Sequence, residues 1–129
     1  MLSAEENALL CRIEGDAPMG QMIRRYWIPA ALSEEVEADG PPRRVRLMGE
    51  DLILFRDSNG QVGLLEELCP HRGASLLLAR NEECGLRCLY HGWKFDAAGN
   101  VLDMPAESDA ESVIGRVRAF GESKLCFGR

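Results

Sequence analysis

The stretch Cys69-Pro70-His71-Arg72-Gly73, followed by Cys88-Leu89-Tyr90-His91-Gly92-Trp93, decides how this chain folds. The pattern is C-x-H, then residues 72 to 87, a gap of 16 (88 − 71 − 1 = 16), then C-x-x-H. The chain of 129 residues contains two histidines, and both lie in this pattern. Each half therefore offers one thiolate and one imidazole, which are side chains that bind transition metals.

Two kinds of metal centre use such a set. A [2Fe–2S] centre takes four protein ligands, and in one type two histidines replace two cysteines on one of its two irons. Each loop then gives one ligand to each iron, which explains the alternation of cysteine and histidine. A structural zinc site more often groups like ligands, as C-x₂₋₄-C and H-x₃₋₅-H, and it stays open as the alternative. Gly73 and Gly92 suit tight loops that bring backbone N–H groups close to sulfur.

With both glycines in place, the C-x-H-x₁₆-C-x-x-H pattern resembles that of the Rieske iron–sulfur proteins. The resemblance implies a Rieske-type [2Fe–2S] cluster, with two thiolates on one iron and two imidazoles on the other. The cofactor-binding and metal-binding residues that it implies are Cys69, His71, Cys88 and His91. It assigns no catalytic residue.

The pattern of apolar residues predicts a mainly β protein. Ser3 and Glu6 form a capping-box pattern, which predicts a helix over 3–13, and a second short helix is expected over 19–26. Alternation and turn residues predict strands over 44–47, 51–56, 61–66, 86–89, 93–96, 100–103 and 116–120, and residues 125–127 offer an edge strand. The expected fold is an antiparallel β sandwich of the Rieske type, with a two-loop cluster-binding subdomain and a short helical N-terminal segment. The predicted division is a helical extension over 1–40 and a Rieske domain over 41–129.

Composition excludes several classes of partner. The net charge of −6 argues against nucleic acid and against anionic membranes, because both select a basic surface. No apolar run approaches the ~20 residues that a membrane-spanning helix needs. The first residues carry two glutamates and no signal-peptide pattern. The protein is therefore expected to be cytoplasmic.

The five cysteines show no disulfide framework, which is typical of a reducing compartment. Cys84 lies four residues before Cys88 and is either a spare ligand or a small thiol of the surrounding loop. We favour the loop thiol, because four ligands already complete the cluster. Cys11 and Cys126 are expected to be packing residues, and Trp27 to be a core anchor.

Three positions indicate which branch of the Rieske family the chain resembles. In the respiratory and photosynthetic members a disulfide joins the loops, and its cysteines would fall at Ala74 and Tyr90. Those members also place a serine hydroxyl near sulfur where this chain has Trp93. Fewer hydrogen bonds to the sulfurs stabilise the reduced cluster less, so a potential in the lower part of the Rieske range is expected.

The opening of the chain resembles the phthalate-dioxygenase and vanillate-demethylase-like Rieske non-haem iron oxygenases. The residues that carry the likeness include Pro18-Met19-Gly20, the run 24–29 and Asp103-Met104-Pro105, and the likeness covers residues 1–119. It implies one-electron transfer by the domain at which electrons enter an aromatic ring-hydroxylating or O-demethylating oxygenase. The implied partners are a flavin/iron–sulfur reductase as electron donor and a mononuclear-iron oxygenase domain as acceptor, with a homo-oligomer as an open option.

Catalysis by this chain alone is not expected. The mononuclear iron of such oxygenases needs two histidines and a carboxylate, and both histidines are already assigned to the cluster. Two further interpretations stay open: a stand-alone Rieske ferredoxin-like carrier, and a non-functional remnant of a truncated oxygenase gene.

Overall fold

The computed structural model describes residues 1–105 and the backbone of residues 125–128. Within these residues, strands form three small sheets, and the helices are short. The strands are β1 (Ile28–Leu32), β2 (Arg43–Leu47), β3 (Glu50–Arg56), β4 (Val62–Glu66), β5 (Arg80–Glu82), β6 (Gly85–Arg87), β7 (Lys94–Phe95), β8 (Val101–Asp103) and β9 (Leu125–Gly128). The helices are α1 (Ala4–Cys11), α2 (Pro18–Ile23) and two 3₁₀ turns, Ser33–Glu35 and Leu76–Leu78.

The described sheets are mostly antiparallel, which confirms the predicted fold class. One sheet has the order β2-β3-β4 and a second has the order β5-β6-β7-β8, with antiparallel neighbours throughout. The third pairs β1 with β9 in parallel. The strand offered by residues 125–127 is therefore present, but it pairs with a strand that the sequence did not predict.

Strand β3 lies between two apolar clusters. Ile53 and Phe55 face one cluster, and Leu52 and Leu54 face the other, because successive side chains of a strand point to opposite faces. All four are at most 2% exposed, which explains the unbroken apolar run in the middle of the strand. The first cluster also contains Cys69, Cys88 and Trp93, so the core extends to the base of both predicted cluster loops.

The first 40 residues contain both helices and also β1. Helix α1 begins after Ser3 with the predicted capping box: the Ser3 N–H donates to Glu6 Oε2 at 2.8 Å, and the Glu6 N–H donates to Ser3 Oγ at 3.2 Å. Helix α2 is tied to the sheets by Arg24, whose Nη2 lies 2.8 Å from Glu50 Oε1. The helices are thus anchored mainly by polar contacts, since α1 buries none of its residues.

Two packing predictions are wrong. Trp27 is 59% exposed, and Cys11 is exposed as well. Trp27 stands at the start of an edge strand and Cys11 at the end of a helix that buries no residue, so neither reaches a core. The predicted strand over 116–120 and the side chain of Cys126 lie outside the described residues. Among the helices that the structure describes, none has the length and apolar character to cross a membrane.

Candidate metal centre

The first loop (69–74) is closed by two backbone hydrogen bonds. The Cys69 N–H donates to the Ala74 carbonyl at 2.8 Å, and the Gly73 N–H donates to the Cys69 carbonyl at 2.8 Å. Gly73 has φ +67°, a left-handed conformation that L side chains rarely adopt. The chain therefore reverses within six residues and returns to the 3₁₀ turn behind the loop.

The second loop (88–93) repeats this frame. The Cys88 N–H donates to the Trp93 carbonyl at 2.8 Å, and the Gly92 N–H donates to the Cys88 carbonyl at 3.0 Å. Gly92 has φ +78°. In both loops the cysteine opens the frame and a glycine four residues later closes it, which accounts for the two glycines of the sequence pattern.

The two predicted histidines meet at the tips of these loops. The ring centroids of His71 and His91 are 4.5 Å apart, and the ring planes are inclined by 64°. His71 is partly buried and His91 is exposed. The phenol ring of Tyr90 lies against His91, with centroids 3.9 Å apart. Partial desolvation by the surrounding loop atoms, together with the nearby charges of His71 and Arg72, lowers the pKa of His91, which favours its neutral form.

The two predicted thiols form a second pair beneath the histidines. Cys69 and Cys88 are each 3% exposed, and their side chains lie within hydrogen-bonding reach of each other. Burial raises the pKa of the Cys69 thiol to about 11, and the neighbouring Cys88 adds to this effect. The backbone N–H groups of His71 and Arg72 act in the opposite direction by hydrogen-bonding to the Cys69 sulfur. Such groups stabilise a thiolate once a metal replaces its proton.

Trp93 covers one of the histidines from the inside. Its indole lies parallel to the imidazole of His71, at 1° between the planes and 4.6 Å between the centroids. The residue is 4% exposed. Within the part of the chain that the structure describes, its Nε1 is buried without a hydrogen-bond partner. The indole thus packs mainly as an apolar surface.

Cys84 lies away from the four predicted ligands along the chain path. It sits with Glu83 in the turn that joins β5 to β6, and both residues have positive φ, 47° at Glu83 and 62° at Cys84. Strand β6 separates it from Cys88, and three strand residues span about 10 Å. Its N–H donates to Ser58 Oγ at 3.0 Å. This is the position of a loop thiol, the interpretation that the sequence favoured.

Sequence reasoning missed the side chain that secures the base of the first loop. Glu67 accepts hydrogen bonds from Ser75 Oγ at 2.7 Å and from Arg44 Nε at 2.9 Å. The contacts with Arg44 and Ser75 hold the pKa of Glu67 below its usual value. Nothing in the local sequence could reveal this contact, because Arg44 lies on β2 and reaches the loop only through sheet pairing.

The donor set falls into pairs. Among the described residues no three His, Cys, Asp or Glu side chains are grouped as they would be around a single metal ion. Instead two thiols pair in the interior and two imidazoles pair toward the surface. A [2Fe–2S] centre with mixed ligands needs two protein ligands on each of two irons, so the residues present fit such a group.

A comparison with protein families decides the class of this chain. The family model of the Rieske [2Fe–2S] domain matches residues 26–120. The chain belongs to the Rieske family. The family carries a Rieske-type [2Fe–2S] cluster, so the cofactor expected from the sequence is confirmed at the level of the family.

Several curated relatives of this Rieske domain are named as oxygenase subunits. The oxygenase subunit of phthalate 4,5-dioxygenase from Pseudomonas putida is 60% identical over 119 residues, which are 92% of this chain and 27% of the relative. The oxygenase subunit of 3-chlorobenzoate-3,4-dioxygenase from Comamonas testosteroni is 48% identical over 118 residues, with the same coverage. The chain thus spans about a quarter of the length of these relatives.

Solved structures agree with the fold. Dicamba monooxygenase, crystallised with non-heme iron and dicamba, matches with a TM-score of 0.69 and 33% identity over 77% of this chain and 30% of that protein. NdmA from Pseudomonas putida CBB5, solved with caffeine, matches with a TM-score of 0.68 and 27% identity over 78% of this chain and 30% of that protein. The fold of this Rieske domain is therefore that of Rieske oxygenases.

Proposed function

We propose that this chain transfers single electrons through a [2Fe–2S] cluster, as the domain at which electrons enter an aromatic ring-hydroxylating or O-demethylating oxygenase. The proposed ligands are Cys69 and Cys88 on one iron and His71 and His91 on the other. The observation that carries the proposal is the separation of the donors into a buried thiol pair and an outward imidazole pair.

The surroundings of each pair suit its proposed iron. The thiols lie in the first apolar cluster, where thiolate ligands compensate the charge of buried ferric iron. The imidazoles lie at the loop tips, and neutral imidazole ligands raise the reduction potential above that of all-cysteine clusters. The backbone N–H groups that reach the Cys69 sulfur favour its thiolate form. When bound, the cluster supplies one-electron oxidation and reduction.

The protein's own residues give the site an inside and an outside. Trp93 packs against the inner face of His71 and keeps water from the thiol pair. His91 faces solvent, so its imidazole is the proposed route by which an electron leaves and the proposed site of proton exchange. Leu89 and Tyr90 beside it are 57% and 61% exposed, which gives a partner an apolar contact at the same point.

The partners proposed are a flavin/iron–sulfur reductase as donor and a mononuclear-iron oxygenase domain as acceptor. Support comes from the oxygenase subunits among the relatives and from the fraction of their length that this chain matches. The division into an N-terminal extension over 1–40 and a Rieske domain over 41–129 is part of the same proposal. A potential in the lower part of the Rieske range is proposed as well, since Trp93 offers no hydroxyl to the cluster sulfurs.

The ligand assignment is tested on protein purified without oxygen. We expect about two irons and two inorganic sulfides per chain, and an electron paramagnetic resonance (EPR) spectrum after dithionite reduction that shows coupling to two imidazole nitrogens. Protein that contains zinc, or iron without nitrogen coupling, would contradict the assignment.

The role in an oxygenase is tested by mixing the reduced chain with a separately purified mononuclear-iron oxygenase domain. We expect the reduced EPR signal to decay after mixing with that domain in its ferric form, at a rate that rises with the concentration of the domain. A chain that accepts electrons from the reductase and leaves the oxygenase domain unreduced would instead be a ferredoxin-like carrier. A chain that accepts none would be a remnant.

A further inference from the structure

Arg87 ties the second loop to two neighbouring strands. Its Nη1 donates to the Gly92 carbonyl at 2.8 Å and to Asp103 Oδ2 at 2.8 Å. Its Nε donates to Glu82 Oε1 at 2.9 Å. Glu82 ends β5 and Asp103 ends β8, so one guanidinium joins both outer strands of the four-stranded sheet to the loop.

The side chain of Arg87 bridges the two ends of the second loop. Arg87 directly precedes Cys88, and the carbonyl that it holds belongs to Gly92, which directly follows His91. The side chain therefore spans the same interval as the two backbone hydrogen bonds of the frame and adds a third connection. The donors of a planar guanidinium are spread over three nitrogens in fixed directions, which suits three separated acceptors, whereas the three donors of an ammonium group share one nitrogen.

The first loop lacks this connection on chemical grounds. The residue that directly precedes Cys69 is Leu68, which carries no donor and is 61% exposed. The first loop instead has the indole of Trp93 packed on its histidine. The more exposed histidine, His91, thus belongs to the loop that a side chain braces.

The charges add a second effect. Arg87 is 20% exposed and neutralises part of the charge of two carboxylates close to the loop. Reduction adds one negative charge to a bound cluster. Removal of the guanidinium would leave the negative charges of Glu82 and Asp103 uncompensated. Negative charge near the cluster disfavours reduction, so the reduction potential should become more negative.

We propose that Arg87 is a positioning residue for the metal centre: it holds His91 in the orientation that ligation needs, by fixing the Gly92 peptide. The proposal rests on the ligand assignment of the proposed function. Arg87 contacts no metal and takes no proton in this role. Its effect reaches the cluster through the loop backbone and through the two carboxylates that it neutralises.

The test uses the iron-loaded protein and the variants Arg87→Gln, Arg87→Lys and Asp103→Asn. We expect R87Q to lose cluster several-fold faster in the presence of a chelator, to have a more negative reduction potential and to give a broadened EPR spectrum. R87K keeps the charge, so its potential should lie near the wild-type value while its spectrum stays broadened. D103N keeps the arginine but removes one of its anchors, so its rate of cluster loss should fall between those of R87Q and wild type, while its reduction potential should not fall below the wild-type value because a negative charge is lost. This variant preserves the test if R87Q fails to fold.

Two further variants make the outcomes distinguishable. Arg46→Gln is the matched control, because it removes an exposed Arg46–Asp51 pair, 3.2 Å apart, that touches neither loop. His91→Cys tests the ligand assignment itself. If H91C leaves the spectrum and the potential unchanged, the proposed ligands are wrong. If H91C alters the spectrum and the potential while R87Q and D103N match wild type, the positioning role of Arg87 is wrong and the ligand assignment stands. The same conclusion follows if H91C alters them and R46Q shifts the potential as much as R87Q does.

Discussion

The indole of Trp93 lies face to face with the imidazole of His71, with ring planes within 1° of each other and centroids 4.6 Å apart. This contact joins the second loop to the first, since each ring comes from a different loop. It places a large apolar surface on the inner side of one proposed ligand and leaves the other proposed histidine, His91, exposed to solvent. The stability of the two-loop subdomain should therefore depend on this one indole.

Replacement of Trp93 by alanine should lower the free energy of unfolding by about 3–5 kcal/mol, because a fully buried aromatic side chain is lost. Trp93→Phe should cost less than W93A does, since a ring still covers His71, the cavity left behind is smaller and the buried Nε1 has no partner to lose among the described residues. Urea denaturation measures both values. Trp27→Ala is the control and should change stability by about 0.5 kcal/mol or less, because Trp27 is exposed. Equal losses for W93A and W27A would contradict this account.

Replacement of His71 or His91 by cysteine should make the reduction potential more negative or cause loss of the cluster. The reason is that a thiolate donates more charge to iron than a neutral imidazole does. Protein-film voltammetry and the visible spectrum measure the effect. The two variants should change in the same direction, and a potential that stays at the wild-type value in either one would remove that histidine from the ligand set.

Replacement of Cys84 by serine should leave the visible spectrum and the iron content unchanged. The residue lies in the turn between β5 and β6, at the end of β6 remote from Cys88. Its backbone contact with Ser58 does not involve the thiol. Metal analysis of C84S beside C88S provides the comparison, since C88S should lose iron. A bleached C84S protein would make Cys84 a ligand.

The iron-free protein should lose stability as the pH rises from about 9 to about 11. Cys69 has an ordinary pKa of 9.0, and burial raises it to about 11 in the folded chain. Between these values the unfolded chain has released the thiol proton and the folded chain still holds it, so the free energy of unfolding falls with rising pH. Denaturation midpoints of chelator-treated protein test this effect. The same measurements on Cys69→Ala isolate the contribution of the thiol. If the denaturation midpoint falls with pH equally steeply in both proteins, the prediction is contradicted.

The acid side should show the opposite trend through Glu67. Its hydrogen bonds with Arg44 and Ser75 lower its pKa in the folded chain, so its contribution to stability is present above its ordinary pKa and is lost as the pH falls below it. Glu67→Gln should therefore flatten the loss of stability between about pH 5 and pH 3. Asp51→Asn removes an exposed ion pair with Arg46, which contributes little to stability, so this variant should lose stability with falling pH almost as the wild type does. A larger effect from D51N than from E67Q would overturn this account.

The local features of the site could be predicted from the sequence because they depend on short spacings. The cysteine and histidine pattern, the two glycines and the strands β2 to β4 all follow from periodicity and turn chemistry over a few residues. The capping box of α1 is of the same kind, since Ser3 and Glu6 contact each other across three residues.

Contacts between distant parts of the chain could not be predicted. Strand β1 was missed because Ile28–Leu32 is short, contains a proline and pairs in parallel with residues almost a hundred positions away. The exposure of Trp27 follows from that edge position, which no local pattern encodes. The reach of Arg87 to Asp103 depends likewise on the antiparallel order of β6, β7 and β8.

The repeated frame of the two loops has a small offset. His71 is the second residue after its cysteine, and His91 is the third after Cys88, although both frames close at the fourth residue. Because of this difference of one residue, the imidazole of His71 lies against the indole of Trp93, whereas the imidazole of His91 is exposed to bulk water. An insertion of one residue ahead of His71, or a deletion of one ahead of His91, would give both imidazoles the same offset from their cysteines and would be expected to remove this difference in environment. The length of each loop therefore governs which side of the centre communicates with solvent.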